Sequence, residues 1–269
     1  MDRTLSGVLA ILVVASVIFL AAVSITLYTE ITYRATLSSV YDYRVSITSD
    51  TPLRNVTLYL PIPTRGTEGS AVLEAIGAGG LRGLPAGWKT SLIGTEKITM
   101  LEVTAPAMAA SPVGRPYLLS VSVPTTGPID TRNADTAGVV LAPSAVRVPA
   151  ECGNINGQTS QDTRCGLYKG SAYADFAATG NVRLSVFIFL TGRNSWDVFG
   201  PSSNEYQDGL QVTFTGAERG WQTGDGLLVT GIGDYGLDPW LGPPGTAGTG
   251  AEPPARLPGS RPASAEEQA

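Results

Sequence analysis

Tyr41-Asp42-Tyr43-Arg44-Val45-Ser46-Ile47-Thr48 decides the fold class. Tyr41, Tyr43, Val45 and Ile47 share one face of an extended chain, and Asp42, Arg44, Ser46 and Thr48 share the other. A strict period of two is the signature of a strand with one face buried and one in water. The pattern predicts such a strand from about residue 35 to Ser49. Asp50-Thr51-Pro52 supplies turn residues, and Val56, Leu58, Leu60 and Ile62 line one face of a second strand that Pro61 and Pro63 end. The expectation is a hairpin.

Similar alternation recurs at Ile98–Val103, Tyr117–Val123 and Leu210–Thr215. The run Val182–Leu190 adds Phe187 and Phe189 to its second face, which predicts a central strand buried on both sides at its C-terminal end. Thr223-Gly224-Asp225-Gly226, between Trp221 and Leu227-Leu228-Val229, reads as a tight hairpin turn. No 3.6-residue apolar period persists beyond the first thirty residues. The fold expected is therefore all-β, an antiparallel sandwich of immunoglobulin-like or jelly-roll-like kind, built from residues 35–124 and 181–242. Between them, 125–180 carries few strand signals apart from Gly138–Val148. It reads as a long insertion with a short helix over Tyr168–Ala178. Residues 243–269 are Pro, Gly, Ala and Ser with scattered charge, the composition of a disordered tail.

Ahead of the strands, Val8 to Tyr28 carries no charge. As a helix this stretch reaches about 31 Å, the thickness of a hydrocarbon core. It is expected to span the bilayer as one transmembrane helix or uncleaved signal anchor over 8–28, after a short cytoplasmic N-terminus at 1–7. Ala22-Val23-Ser24 offers the alternative of a cleaved signal peptide, but the apolar run exceeds the usual 7–15 residues of a signal core. A pilin-like assembly helix is a third reading, without an acidic residue between Asp2 and Glu30 to support it. Arg3 before the segment and Glu30 and Arg34 after it give little charge asymmetry. Orientation rests instead on Cys152 and Cys165, the only cysteines, whose close spacing suits a disulfide in an oxidising compartment. Asn55-Val56-Thr57 adds a glycosylation acceptor triplet. Both put the β-domain outside the cytoplasm at the cell membrane.

Composition narrows the function classes. Net charge is −5 with pI about 4.8, only Lys89, Lys97 and Lys169 are lysines, and no basic cluster occurs, which argues against nucleic acid as a partner. Histidine is absent from all 269 residues, which removes the commonest general base and transition-metal ligand, and with it the usual serine-hydrolase triad. Gly77-Ala78-Gly79-Gly80-Leu81-Arg82-Gly83 places Arg82 where a dinucleotide loop needs its third glycine, so it reads as a Gly-rich turn. No cofactor is implied.

Oxygen-only cation sites remain conceivable at Asp130, Asn133 and Asp135 and at Asp234 with Asp238, although such residues crowd into turns for local hydrogen bonding. Trp196, Tyr206, Trp221, Tyr235 and Trp240 are candidates for stacking on a sugar or a partner, with packing in a sheet as their commoner fate. The expectation is a non-enzymatic, single-pass envelope protein with a structural or interaction role, held by the lipid bilayer and facing an envelope protein or glycan. The competing expectations are a carbohydrate-active enzyme using Asp and Glu alone, and an accessory subunit of a membrane complex.

Overall fold

The computed structural model describes residues 3–65, 69–95, 98–111, 115–136, 138–142, 147–152, 162–216 and 219–236. The expected tail at 243–269, Asp238 and Trp240 lie outside these residues.

Helix α1 (Arg3–Thr36) is followed, with only Leu37 between them, by strand β1 (Ser38–Ser49). The helix is longer than the apolar run predicts because no Gly or Pro interrupts it after Tyr28. Its final turns carry a Glu30–Arg34 ion pair at 2.6 Å. Over Ile11–Thr36 it is long and apolar enough to cross a membrane, and none of the most apolar window is buried in the protein.

Then come β2 (Leu53–Thr64), the short helix α2 (Ala71–Gly77), β3 (Lys89–Thr95), β4 (Ile98–Met108), β5 (Tyr117–Thr125), β6 (Val140–Ala142) and β7 (Val148–Ala150). The chain ends its described part with four long strands, β8 (Arg164–Ala177), β9 (Arg183–Asp197), β10 (Pro201–Thr215) and β11 (Gly220–Gly233). Strand order is β3-β4-β2-β8-β11-β10-β9-β1-β5, with β6 added to β2 and β7 to β8. The architecture is a single antiparallel sheet curled into a half-barrel. The pairings contain no division into the two sheets that a sandwich requires.

The first two strands exist as expected but do not form a hairpin. β1 pairs with β5 and β9, whereas β2 pairs with β4 and β8. They face one another across the core instead, and the buried Tyr43 hydroxyl donates to the Pro61 carbonyl at 2.9 Å. The apolar sides of both strands are thereby buried against each other, with Tyr43, Val45, Ile47, Leu58, Leu60 and Ile62 fully enclosed. Each such side chain contributes roughly 1.5–3 kcal/mol relative to exposure. The open side of the curl is covered by α2, whose Val72 and Ile76 are buried. Ser70 caps that helix by accepting from the Leu73 N–H at 3.1 Å. The glycines after α2 form a turn, as read, and Arg82 pairs through its backbone with Ser120 on β5.

Four further expectations are corrected. Residues 125–180 are not an insertion: they supply β6, β7 and β8, and β8 lies in the middle of the sheet. Tyr168–Ala178 is strand rather than helix over Tyr168–Ala177, because Tyr168, Gly170, Ala172, Ala174 and Phe176 alternate inward with period two. Thr223–Gly226 lies inside β11 and turns nothing. Val182–Leu190 is central, between β1 and β10, but only Val182, Leu184, Val186, Ile188 and Leu190 are buried; Phe187 is exposed on the outer face.

Candidate functional site

The most polar part of the interior is built around Asp208, a fully buried residue on the inner face of β10. Tyr168 on β8 reaches it across the intervening β11 because Gly226 lies between them with no side chain; a Cβ there would fall 2.3 Å from the Tyr168 ring. The Tyr168 hydroxyl donates to Asp208 Oδ1 at 2.5 Å. The Leu141 N–H from β6 donates to Oδ2 at 2.9 Å. Arg147 approaches Oδ2 at 3.4 Å and holds its guanidinium 4.9 Å from the Tyr168 ring centre. Burial pushes the Asp208 carboxyl above the usual carboxylate range, against the pull of Tyr168, the Leu141 amide and Arg147. The Tyr168 hydroxyl is pushed up by burial and then by the neighbouring carboxylate. The enclosed carboxylate has no contact with solvent. Its chemistry is that of a clip joining β6, β8, β10 and the segment at Arg147.

A second polar seam lies nearer α1. Asn194 on β9 accepts from Ser39 at 2.7 Å and from the Ile129 N–H at 2.9 Å, and its amide donates to the Ile129 carbonyl and to Asn204. Thr131 donates to Asn204 at 3.0 Å and is 2.7 Å from the Tyr235 hydroxyl. These bonds lace residues 129–131 to the end of the sheet.

Outside the Asp208 clip is a cleft of about 400 Å³ lined by Arg132, Asp135, Arg147, Cys152, Arg164 and Thr230, among others. Two of its cations face anions, Arg132 with Asp162 at 3.2 Å and Arg147 with Asp208. Arg132 also lies 4.2 Å from the centre of the Tyr235 ring. Cys152 and Cys165 form part of the wall, bonded with their Cα atoms 5.3 Å apart and packed on Val229 and Ile232. In the isolated, unfolded chain both thiols are expected to resist alkylation until a reductant is added. Ready labelling without reductant would remove this crosslink.

Among the described residues the predicted cation ligands do not converge. Asp130 Oδ1 accepts from the backbone N–H groups of Arg132 and Asn133, and the Asn133 amide donates to both Asp130 oxygens, which is turn bonding. Asp135 faces the cleft instead, and the Asp234 carboxylate accepts from the Gly236 N–H. Among the described residues no cluster of three acidic or sulfur ligands occurs. Asn55 is exposed, with φ of 49°, at an irregularity of β2 between Arg54 and Thr57.

Of the aromatic candidates among the described residues, Trp196, Tyr206 and Tyr235 are buried and Trp221 is exposed. Trp221 belongs to a cluster the sequence reading missed: Tyr59 stacks on Tyr173 with centres 5.0 Å apart, and Tyr173 meets Trp221 at 5.6 Å. The three lie side by side on β2, β8 and β11, at the end of the sheet remote from α1.

The outer face carries a second missed feature. Val148, Leu167, Leu227, Gly209 and Phe189 are in register across β7, β8, β11, β10 and β9. Val148, Leu167 and Leu227 are 63, 52 and 40% exposed. Phe187, 43% exposed, stacks on Phe189 at 5.9 Å, and both rings lie against the bare backbone of Gly209. An apolar band running through five strands is unlike scattered exposed side chains. Period-two apolar positions on the wrong face of each strand were its only signal, visible once the register was known. No protein family, curated protein or solved structure matches the chain.

Proposed function

We propose that the chain is a membrane-tethered, non-enzymatic interaction protein of the cell envelope. In this reading α1 lies in the bilayer with its N-terminus in the cytoplasm, and the curled sheet faces the extracytoplasmic side. The outer apolar band receives an apolar surface of a neighbouring envelope protein. The observation that carries the reading is that band, in register over five strands of the outer face. The cysteine pair and the exposed Asn55 triplet support the outward orientation. The absence of histidine and the enclosure of Asp208 support a non-catalytic role.

Intact cells producing the full chain, treated with protease from outside and then fractionated, test the topology. Digestion from outside, with the remaining helix in the washed membrane fraction, is expected. Full protection would put the domain on the other side, and recovery from the medium would mean that the helix is removed. In the same cells a photoreactive residue at Leu167 is expected to give a discrete cross-linked product within the membrane fraction. The same residue at Thr223, on the same face beside Ser171 and outside the band, is expected to give none. Equal yields from the two positions would defeat the contact-surface assignment.

A further inference from the structure

The helix touches the domain at the end of the β9–β10 hairpin. Tyr33 meets Trp196 edge-on at 5.5 Å, the Asp197 N–H donates to the Thr36 hydroxyl at 3.0 Å, and Tyr28 lies 5.8 Å from Phe199 between ring centres. From Thr36 back to Tyr28 the helix recedes about 12 Å. The hairpin therefore runs alongside the helix toward its apolar part, and its tip stops level with Tyr28. No charge occurs from Thr4 to Thr29, and Glu30 is the first charged residue after Arg3. Tyr28 thus closes the apolar stretch, in the position where tyrosines mark a membrane boundary.

The tip itself is Val198-Phe199-Gly200, three residues without charge. Phe199 is 76% exposed and holds φ at 60°, a left-handed conformation that a loop in water normally gives to Gly, Asn or Asp. A bulky ring placed there is disfavoured on both counts, by its backbone and by its contact with water. Seating the ring in lipid removes the second penalty, and the apolar burial gained there offsets the first. We infer that the β9–β10 tip is a second membrane contact, with Phe199 seated at the boundary between headgroups and acyl chains beside Tyr28, while Trp196 and Tyr33 pack just above it. The occupant of this surface is lipid. Two contacts in place of one restrict how far the domain can tilt about the end of α1, and so present the outer band at a defined angle to the membrane. This inference rests on the membrane-tethered reading.

The test uses the full chain in phosphatidylcholine vesicles, without reductant, with one nitroxide label on Ile18→Cys, Phe199→Cys or Thr223→Cys. Relaxation by oxygen, which concentrates in lipid, is compared with relaxation by a water-soluble nickel chelate. Labels at 18 and 199 are expected to favour oxygen, with the chelate several-fold less effective at 199 than at 223. A label at 18 in lipid with a label at 199 as open to the chelate as that at 223 would overturn the second contact and leave the tether standing. A label at 18 in water would bring down the tether, and this inference with it.

Discussion

Asp208→Ala is expected to destabilise the domain by about 3 kcal/mol, read as a fall in melting temperature on the order of 10 °C for a domain of this size. The loss comes from what remains rather than from what is removed. Without the carboxylate, the Tyr168 hydroxyl and the Leu141 N–H lose their acceptor inside the core, and Arg147 keeps a charge whose Nε already has no partner. The figure sits at the low end for a broken buried pair because Arg147 borders the cleft and can turn toward water. Asp208→Asn keeps the shape and one acceptor, and separates geometry from charge. Burial raises the folded carboxyl's pKa above its unfolded value, so the folded state holds the proton more tightly. The contribution of Asp208 is therefore fully present below the ordinary carboxylate range near 4 and is lost as pH rises through the folded value. Melting curves of wild type and Asp208→Asn should diverge in the variant's favour as pH is raised from about 4. A gap that moves the other way would mean that Arg147 and the donors outweigh burial.

Much of the β-character was legible because one-sided strands announce themselves: β1, β2 and β5 each alternate apolar and polar residues over most of their length. Pairing was not legible. Asp50-Thr51-Pro52 is as good a turn for an arch between opposed strands as for a hairpin, and only long-range register decides between them. β8 escaped notice for a different reason. The middle of its inner face is Gly170, Ala172 and Ala174, small residues that carry little hydrophobic contrast, and alanine read alone favours helix. They are small because larger residues from other strands fill the space: a Cβ on Gly170 would lie 2.7 Å from Leu210. The Asp208 clip draws on β6, β8, β10 and residue 147, so no local spacing could have disclosed it. The outer band was hidden by the same fact that makes it informative, since an apolar residue on the wet face of one strand means little until four neighbours align with it.

Glycine in the middle of β11 gives the sharpest contrast between a turn and a strand. In a tight turn, the side chains around Gly224 and Gly226 would point into solvent and alanine would cost little beyond its backbone preference. Here both glycines face inward. A Cβ on Gly224 would fall 1.9 Å from the Gln211 carbonyl oxygen, a backbone atom that no rotamer change can move aside. Gly224→Ala must therefore push β10 and β11 apart where they pair, and is expected to cost more than about 3 kcal/mol, beyond the usual range for overpacking. At Gly226 the obstacle is the Tyr168 ring, which can swing away only by giving up Asp208. Gly226→Ala and Asp208→Ala then remove the same hydrogen bond, so their effects on unfolding free energy should be less than additive in a double-mutant cycle. Thr223→Ala and Asp225→Ala, whose side chains face outward beside Ser171 and Lys169, should each stay within about 1 kcal/mol of wild type. Urea unfolding of the four single variants checks the order. Equal, small effects at all four positions would return these residues to a turn and break the register of β11 with β8 and β10.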